Sequence, residues 1–321
     1  MSQQRIVILG GTGAMGAATA ARFARAGWRV EVTGRNAELF PEPLRELGVR
    51  FHALDRADTA GIGQLLSDGA DLLVDMVCFD AQRADELLRW AADCTSSAVI
   101  SSRAVYTDAE GRHVNAEQPP EFAGPVPESQ SCVAPGARDL DPFTREGYAP
   151  CKRAMELRVL ESGVPVSVLR PGKVHGAWAR NARTAGIVEA MQGNPPELRV
   201  SSLESVQSLT AAANVAQLLE LVAAHPASRV LNAADAHPVT ARAVFERIAH
   251  TVGYTGEVQE AGDGPSTLAN PFASAHPFEL DTSAAKELGY RPADSLSLVA
   301  EEVQWVLDSQ RAGALHGRMG A

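Results

Sequence analysis

The stretch "RIVILGGTGAMG", residues 5–16, limits what this chain can fold into more than any other part of it. A short apolar run passes straight into a glycine turn, and an Ala-rich helical pattern follows near 14–26. Gly11, Gly13 and Gly16 fit G-x-G-x-x-G, while Gly10, Gly13 and Gly16 fit the related G-x-x-G-x-x-G. Glycines cluster in many turns, so the match alone is weak. The strand before it and the helix after it supply the context of an opening βαβ unit. A pyrophosphate has to approach backbone N–H groups without intervening Cβ atoms, and a helix N-terminus then faces it with partial positive charge. A dinucleotide-binding turn is therefore expected at Gly10, Thr12, Gly13, Ala14, Met15 and Gly16, with a purely structural turn as the alternative.

The alternation continues. Strand-like runs at 29–33, 49–54, 72–77, 97–101 and 164–170 are separated by helical patterns near 60–68, 81–93 and from Tyr148 onward. Such connections predict an α/β fold, a Rossmann-type doubly wound parallel sheet with a smaller mixed C-terminal substrate lobe. The dinucleotide-binding domain is expected over 1–170, with a late helix within 205–225 returning to it. Residues 171–321, with helical stretches near 211–224, 240–252, 283–288 and 296–309, are expected to form mainly the substrate-binding lobe. Residues 107–147 are rich in Pro, Gly, Glu and Asp and too long for a plain connection. They predict an active-site loop or lid, or else a surface excursion.

Composition narrows the function classes. A net charge of −10 opposes non-specific binding to phosphate backbones, and no Lys- or Arg-rich run offsets it, which argues against a nucleic-acid partner. No apolar run approaches the roughly 18 residues of a membrane span. The start lacks the longer apolar region of a secretory signal, so a cytoplasmic location is expected. Cys78, Cys94, Cys132 and Cys151 form no CxxC and have no histidine-rich partner spacing. Buried thiols are expected, with no disulfide framework and no metal.

The end of the second strand bears on the cofactor. An Asp or Glu about 20 residues past the glycine motif usually holds the ribose 2′-hydroxyl of NAD. Here "VTGRN" puts Gly34 at that place and Arg35 after it. A guanidinium without a carboxylate beside it suits a 2′-phosphate, so NADP is expected, with NAD as the alternative and a merely solvated arginine as the bland reading. Asp55, in "ALDRAD", is placed to reach an adenine amino group, or simply to cap its loop.

Tyr148 and Lys152 in "YAPCK" lie one turn apart on one helix face, a spacing that by itself also fits an ordinary amphipathic helix. Together with "GGTGAMG", "SSRAVY" (101–106), "LRPGKVHG" (169–176) and the late "FELDTSAAKELGYRP" (278–292), it gives the chain its resemblance to the extended short-chain dehydrogenase/reductase family. That group includes NAD-dependent epimerases and dehydratases, and the similarity runs from residue 5 to about 310. The resemblance implies a catalytic set of Ser102, Tyr148 and Lys152. Tyr148 would exchange a proton with a substrate oxygen while Ser102 holds that oxygen. Lys152 would lower the tyrosine pKa from about 10 and bond the nicotinamide ribose. It also implies that Cys78, Pro171, Gly172 and Val174 line the cofactor beside Tyr148 and Lys152. His175 is a candidate substrate-lining residue or additional acid or base. In the family, the helices at 81–93 and 148–162 often form a dimer interface, which implies a homodimer.

Some residues depart from the family pattern. Lys173 stands where sugar-nucleotide members usually carry asparagine, and 205–216 lacks the arginine that holds their diphosphate. Both points argue against a sugar nucleotide. "LVDMVCFD" (73–80) with "SSRAVY" resembles a branch that includes chloroplast stem-loop RNA-binding proteins, so RNA binding is a rival, as is a nicotinamide-sensing regulator. The acidic charge opposes the first and the intact Ser/Tyr/Lys set opposes both. Trp178, Arg180 and Arg183 are candidates to contact an aromatic or anionic group, or are surface residues. The expected activity is an NADP-preferring oxidoreductase acting on a ketone or secondary alcohol of a small or medium-sized metabolite. An epimerase or dehydratase that uses bound cofactor transiently is the alternative.

Overall fold

A computed structural model describes residues 3–262 and 264–313. The first part of the chain forms β1 (Arg5–Leu9), α1 (Ala14–Arg25), β2 (Arg29–Gly34), α2 (Glu42–Glu46), β3 (Arg50–Ala53), α3 (Thr59–Leu65), β4 (Ala70–Asp75), α4 (Ala81–Ala91) and β5 (Cys94–Ile100). A long segment then leads to α5 (Arg145–Leu160), β6 (Val166–Pro171) and β7 (Lys173–His175). After these come α6 (Ala185–Gln192), β8 (Glu197–Val200), β9 (Val206–Gln207), β10 (Leu209–Ala211), α7 (Ala212–Ala224) and β11 (Arg229–Ala233). The last elements are β12 (Val239–Thr240), α8 (Ala241–Val252), β13 (Glu257–Glu260), α9 (Ser283–Glu287) and α10 (Ser295–Arg311).

Seven strands pair in parallel in the order β11-β6-β5-β4-β1-β2-β3. A parallel sheet is covered on both faces, which is why β1 is buried at every position. The strand period sorts its residues. Ile6 and Ile8 join Phe23 of α1 and Leu218 and Val222 of α7 on one face. Val7 and Leu9 join Leu87 of α4 and Met155 and Val159 of α5 on the other. The order in which the chain adds strands reverses between β1 and β4, and the crevice beyond those strand ends is where this architecture binds ligands.

The doubly wound sheet is the one expected, but its seventh strand was not. β11 lies beyond residue 170, in five residues ("RVLNA") that carry no clear alternation; only pairing with β6 makes it a strand. α7 crosses back to pack on α1, with Arg22 Nε 2.7 Å from Glu220. A smaller mixed lobe has a core of its own, in which Ile187, Leu198, Phe245, Val303 and Val306 meet. Its sheets are two-stranded pairs, β7–β10 and β8–β13 parallel and β9–β12 antiparallel. Among the described residues no helix is long and apolar enough to cross a membrane.

Two local features differ from expectation. α5 begins at Arg145 rather than near Tyr148, because Thr144 Oγ1 accepts the Gly147 N–H at 3.0 Å and fixes the start. Pro150 thus falls inside the helix. Residues 107–144 are tied down. Buried Asp108 accepts bonds from Glu110 N (3.1 Å), Arg112 N (2.8 Å) and Glu121 N (3.0 Å), and Val126 bridges to Leu280.

Candidate active site

The glycine turn follows β1 into the crevice. Gly10 has φ +84°, a conformation that only glycine takes without strain, and a Cβ there would lie 2.9 Å from Val77. A Cβ on Gly16 would lie 2.6 Å from Gly11 Cα, so helix and turn can pack this closely only with glycine. α1 opens at Gly13 with no side chain capping it and no acidic residue in its first turn. Its free N–H groups and dipole therefore face a cleft of about 730 Å³. Gly10, Thr12, Gly13, Ala14, Met15, Gly16, Arg35, Asp55 and Val174 all line this cleft, so the residues present fit a dinucleotide.

The strand ends decide what surrounds the ribose. Glu31, the one acid on β2, is buried and held by Arg5 (3.0 Å), Arg29 (2.7 Å) and His52 (2.8 Å), which removes it from the cleft. At Gly34 a Cβ would come within 2.9 Å of Thr12 and 3.0 Å of Phe51, so no carboxylate fits there without a shift. Arg35, next along, is exposed on the cleft. Asp55 also lines it, while its Oδ1 accepts the Ala57 N–H at 2.7 Å as a loop cap.

A second cavity of about 490 Å³ adjoins the first; Met15, Met76, Phe79 and Val174 line both. Ser102, Tyr148, Lys152, Pro171 and Gly172 converge on it. Ser102 stands two residues past the end of β5 and its Oγ accepts the Ala104 N–H at 3.1 Å. Burial raises the Tyr148 pKa, and hydrogen bonding with the Ser102 hydroxyl opposes that rise. Lys152 is 2% exposed, donating to Cys78 O at 2.8 Å and Ile100 O at 2.7 Å, with Nζ 4.3 Å from the centre of the Phe79 ring. Burial brings its pKa down to about 8. The expectation that Lys152 lowers the tyrosine pKa is not met in this arrangement, because its ammonium is turned to those two carbonyls.

Two other expected residues stand elsewhere. The Cys78 thiol is buried in the apolar layer under α4 and its pKa is pushed up by burial; only its carbonyl reaches the site, through Lys152. His175 is buried with Nε2 3.1 Å from Asp235 and Nδ1 3.4 Å from Glu302, and its side chain does not line the cavity. These two carboxylates, far along the chain, outweigh its burial and raise its pKa to about 9. Of the three candidates after it, Arg180 lines the cofactor cleft, Arg183 lines the second cavity, and Trp178, at φ +63°, packs toward α1 and α7.

The site also uses residues that sequence reasoning missed. Glu156, one turn beyond Lys152 on α5, accepts Ser101 Oγ at 2.5 Å and both Nε (2.8 Å) and Nη2 (2.6 Å) of buried Arg170. This pair locks α5 against β5 and β6 and thereby sets where Tyr148 stands relative to Ser102. Its sequence signal was an arginine ending an apolar strand. The long segment contributes Val114 and Asn115 to the second cavity and Pro142 and Phe143 to the cleft. Phe143 is 77% exposed, its ring 5.1 Å from that of Phe79.

The model of the family described as NAD dependent epimerase/dehydratase matches residues 6–234. No curated protein matches the chain in sequence. Solved structures of similar fold include UDP-glucuronic acid 4-epimerase from Bacillus cereus in complex with NAD, with 15% identity, TM-score 0.71, and 95% of this chain and 99% of that one covered. The Bordetella bronchiseptica enzyme WbmG in complex with NAD and UDP gives 17% identity, TM-score 0.69, and coverages of 98% and 97%. dTDP-glucose 4,6-dehydratase from Bacillus anthracis in complex with NAD gives 13%, 0.70, 96% and 98%. At such identities the likeness is one of fold.

Proposed function

The chain belongs to the NAD-dependent epimerase/dehydratase family, enzymes of the extended short-chain dehydrogenase/reductase type, and from that premise we propose an NADP-preferring oxidoreductase acting on a ketone or secondary alcohol of a small metabolite. What carries this reading is that Ser102, Tyr148 and Lys152 line one cavity that opens onto the cleft around the glycine turn. The nicotinamide, held with its pyrophosphate at the N-terminus of α1, would supply or accept hydride. Ser102 holds the substrate oxygen at the end of β5. Tyr148, kept neutral by burial, gives that oxygen a proton in the reducing direction and takes it back in the oxidising one. Lys152, beside them in the same cavity, would hold the nicotinamide ribose.

NADP preference is supported by exposed Arg35 and by the exclusion of a side chain at Gly34. The lobe beyond β6 supplies the remaining substrate contacts, and α4 with α5 forms the interface of a homodimer. A second reading follows from the family and from its NAD-bound structural neighbours: epimerisation or dehydration, in which the same substrate is oxidised and re-reduced on a retained cofactor.

One assay separates the two. Net change at the reduced-nicotinamide absorbance band during turnover identifies the oxidoreductase, whereas product without net cofactor consumption identifies the second reading. Binding neither NADPH nor NADH would refute both.

A further inference from the structure

The cavity beside Ser102 is positive in a chain whose net charge is −10. Arg103, Lys152, Lys173 and Arg183 all line it, and among the described residues no aspartate or glutamate does. Elsewhere this fold gives its buried guanidiniums a carboxylate. Arg170 lies 2.6 Å from Glu156, Arg56 lies 2.8 Å from Asp75, and Arg5 lies 3.0 Å from Glu31. Arg103 breaks that habit. It is only 8% exposed, its Nη2 donates to the neutral Gln207 Oε1 at 3.0 Å, and its Nη1 is buried with no partner among the described residues. The Phe278 ring, 4.6 Å away, supports the guanidinium from one side.

Its two companions are likewise left to neutral oxygens. Lys173 Nζ donates to Pro271 O and Ala273 O, both at 2.9 Å, and Arg183 Nε donates to Val174 O at 3.2 Å. Glu302 attracts Arg183 but is itself engaged by Gly176 N (3.0 Å), Thr184 Oγ1 (2.9 Å) and His175 (3.4 Å). The three cations act on one another. Burial first, and then repulsion from Arg103 and Arg183, brings the Lys173 pKa down to about 7. Burial and Arg183 likewise bring Arg103 down to about 10. Gathering like charges in a half-closed cavity without a counterion is costly, and the cost is recovered only when an anion arrives.

We infer that Arg103, Lys173 and Arg183 form the anion subsite of the substrate cavity, and that the substrate carries a carboxylate or phosphate close to its reacting carbon. The inference rests on the reading of this cavity as the substrate site and adds a substrate class to it: hydroxy or keto acids, or phosphorylated alcohols and ketones. Arg103 directly follows Ser102, so the anion sits within a few bonds of the oxygen that Ser102 holds. A volume of about 490 Å³ suits such a metabolite.

The test uses the full chain saturated with its dinucleotide, so that the glycine turn does not capture the probe. Nucleotide affinity is measured first, by NADPH and NADH fluorescence. Inorganic phosphate and malonate are then titrated calorimetrically. At least one anion is expected to bind, and the tighter of the two identifies the phosphate or the carboxylate class. Lys173→Met and Arg183→Gln should each weaken that binding about tenfold or more while nucleotide affinity stays the same. Arg183 is exposed, so its variant keeps the fold even if Lys173→Met loosens the segment it bonds. Nucleotide binding without binding of either anion overturns the inference and leaves the proposed function standing. Anion binding indifferent to both substitutions also overturns it. Anion binding that depends on these residues, in a chain without nucleotide affinity, would sustain the subsite and refute the function.

Discussion

Burial raises the Tyr148 pKa and the Ser102 hydroxyl opposes it, so the phenol is neutral at physiological pH and suited to donate a proton to a forming alkoxide. Tyr148→Phe should therefore lower turnover by about 10²- to 10⁴-fold while leaving NADPH affinity unchanged by fluorescence titration. Substantial residual activity would remove the proton-relay role. Arg35→Ala tests a different residue: NADPH should bind about tenfold more weakly and NADH about as before, because only the former loses a charge-assisted bond to its 2′-phosphate. Equal losses for both nucleotides would reduce Arg35 to a solvated side chain. Ser102, Tyr148 and Lys152 could be picked out of the sequence because each sits in a spaced landmark. His175 could not be placed the same way. Its position beside "RPG" says nothing of which way the ring turns, and that is settled by Asp235 and Glu302 from distant elements.

At the scale of elements, the geometry of the proposed catalytic set depends on how α5 is seated. Three devices fix it: the Thr144 cap at its start, the two bonds from Lys152 in its middle, and Glu156 with Arg170 farther on. Glu156→Ala would strand a guanidinium that is 1% exposed, which costs on the order of 3–5 kcal/mol. Thr144→Ala should cost only about 1 kcal/mol, the usual worth of a helix cap. Urea unfolding measures both, and comparable losses would mean that the ion pair is not what seats the helix. The same elements show what the chain disclosed in advance. β1 to β6 with α1, α3, α4 and α5 were legible because apolar runs of strand length alternate with longer amphipathic stretches, whereas the short α2 was not expected. β11 was not, since five residues acquire strand geometry only from β6 beside them. The start of α5 was misplaced because the helical pattern reads only from Tyr148, whereas the Thr144 hydroxyl starts the helix earlier.

Across the whole molecule, His175 joins parts of the chain that the sheet alone does not hold together. It stands on β7 and meets Asp235, just past β11, and Glu302 on α10, while Asp235 also accepts Ala211 N (2.7 Å), Asn214 (2.7 Å) and Ser295 (2.9 Å). Sheet, α7 and the C-terminal helix thus meet at one protonated imidazole. Because the folded pKa, about 9, lies above the ordinary 6.5, the contribution of this group is complete below about pH 6.5. It is lost as pH rises through about 9, with an upper bound of roughly 3 kcal/mol. Lys152 and Lys173 have the opposite sign: their pKa values are depressed to about 8 and about 7, so losing their protons relieves buried charge as pH rises. Wild-type stability alone therefore mixes the two trends. Comparison with His175→Gln separates them, since the two lysines contribute equally to both proteins. The stability difference between wild type and variant, from urea midpoints, should be largest near pH 6 and shrink steadily toward about pH 9.5. A difference independent of pH would mean that the imidazole is neutral in the folded chain and that packing alone unites these elements.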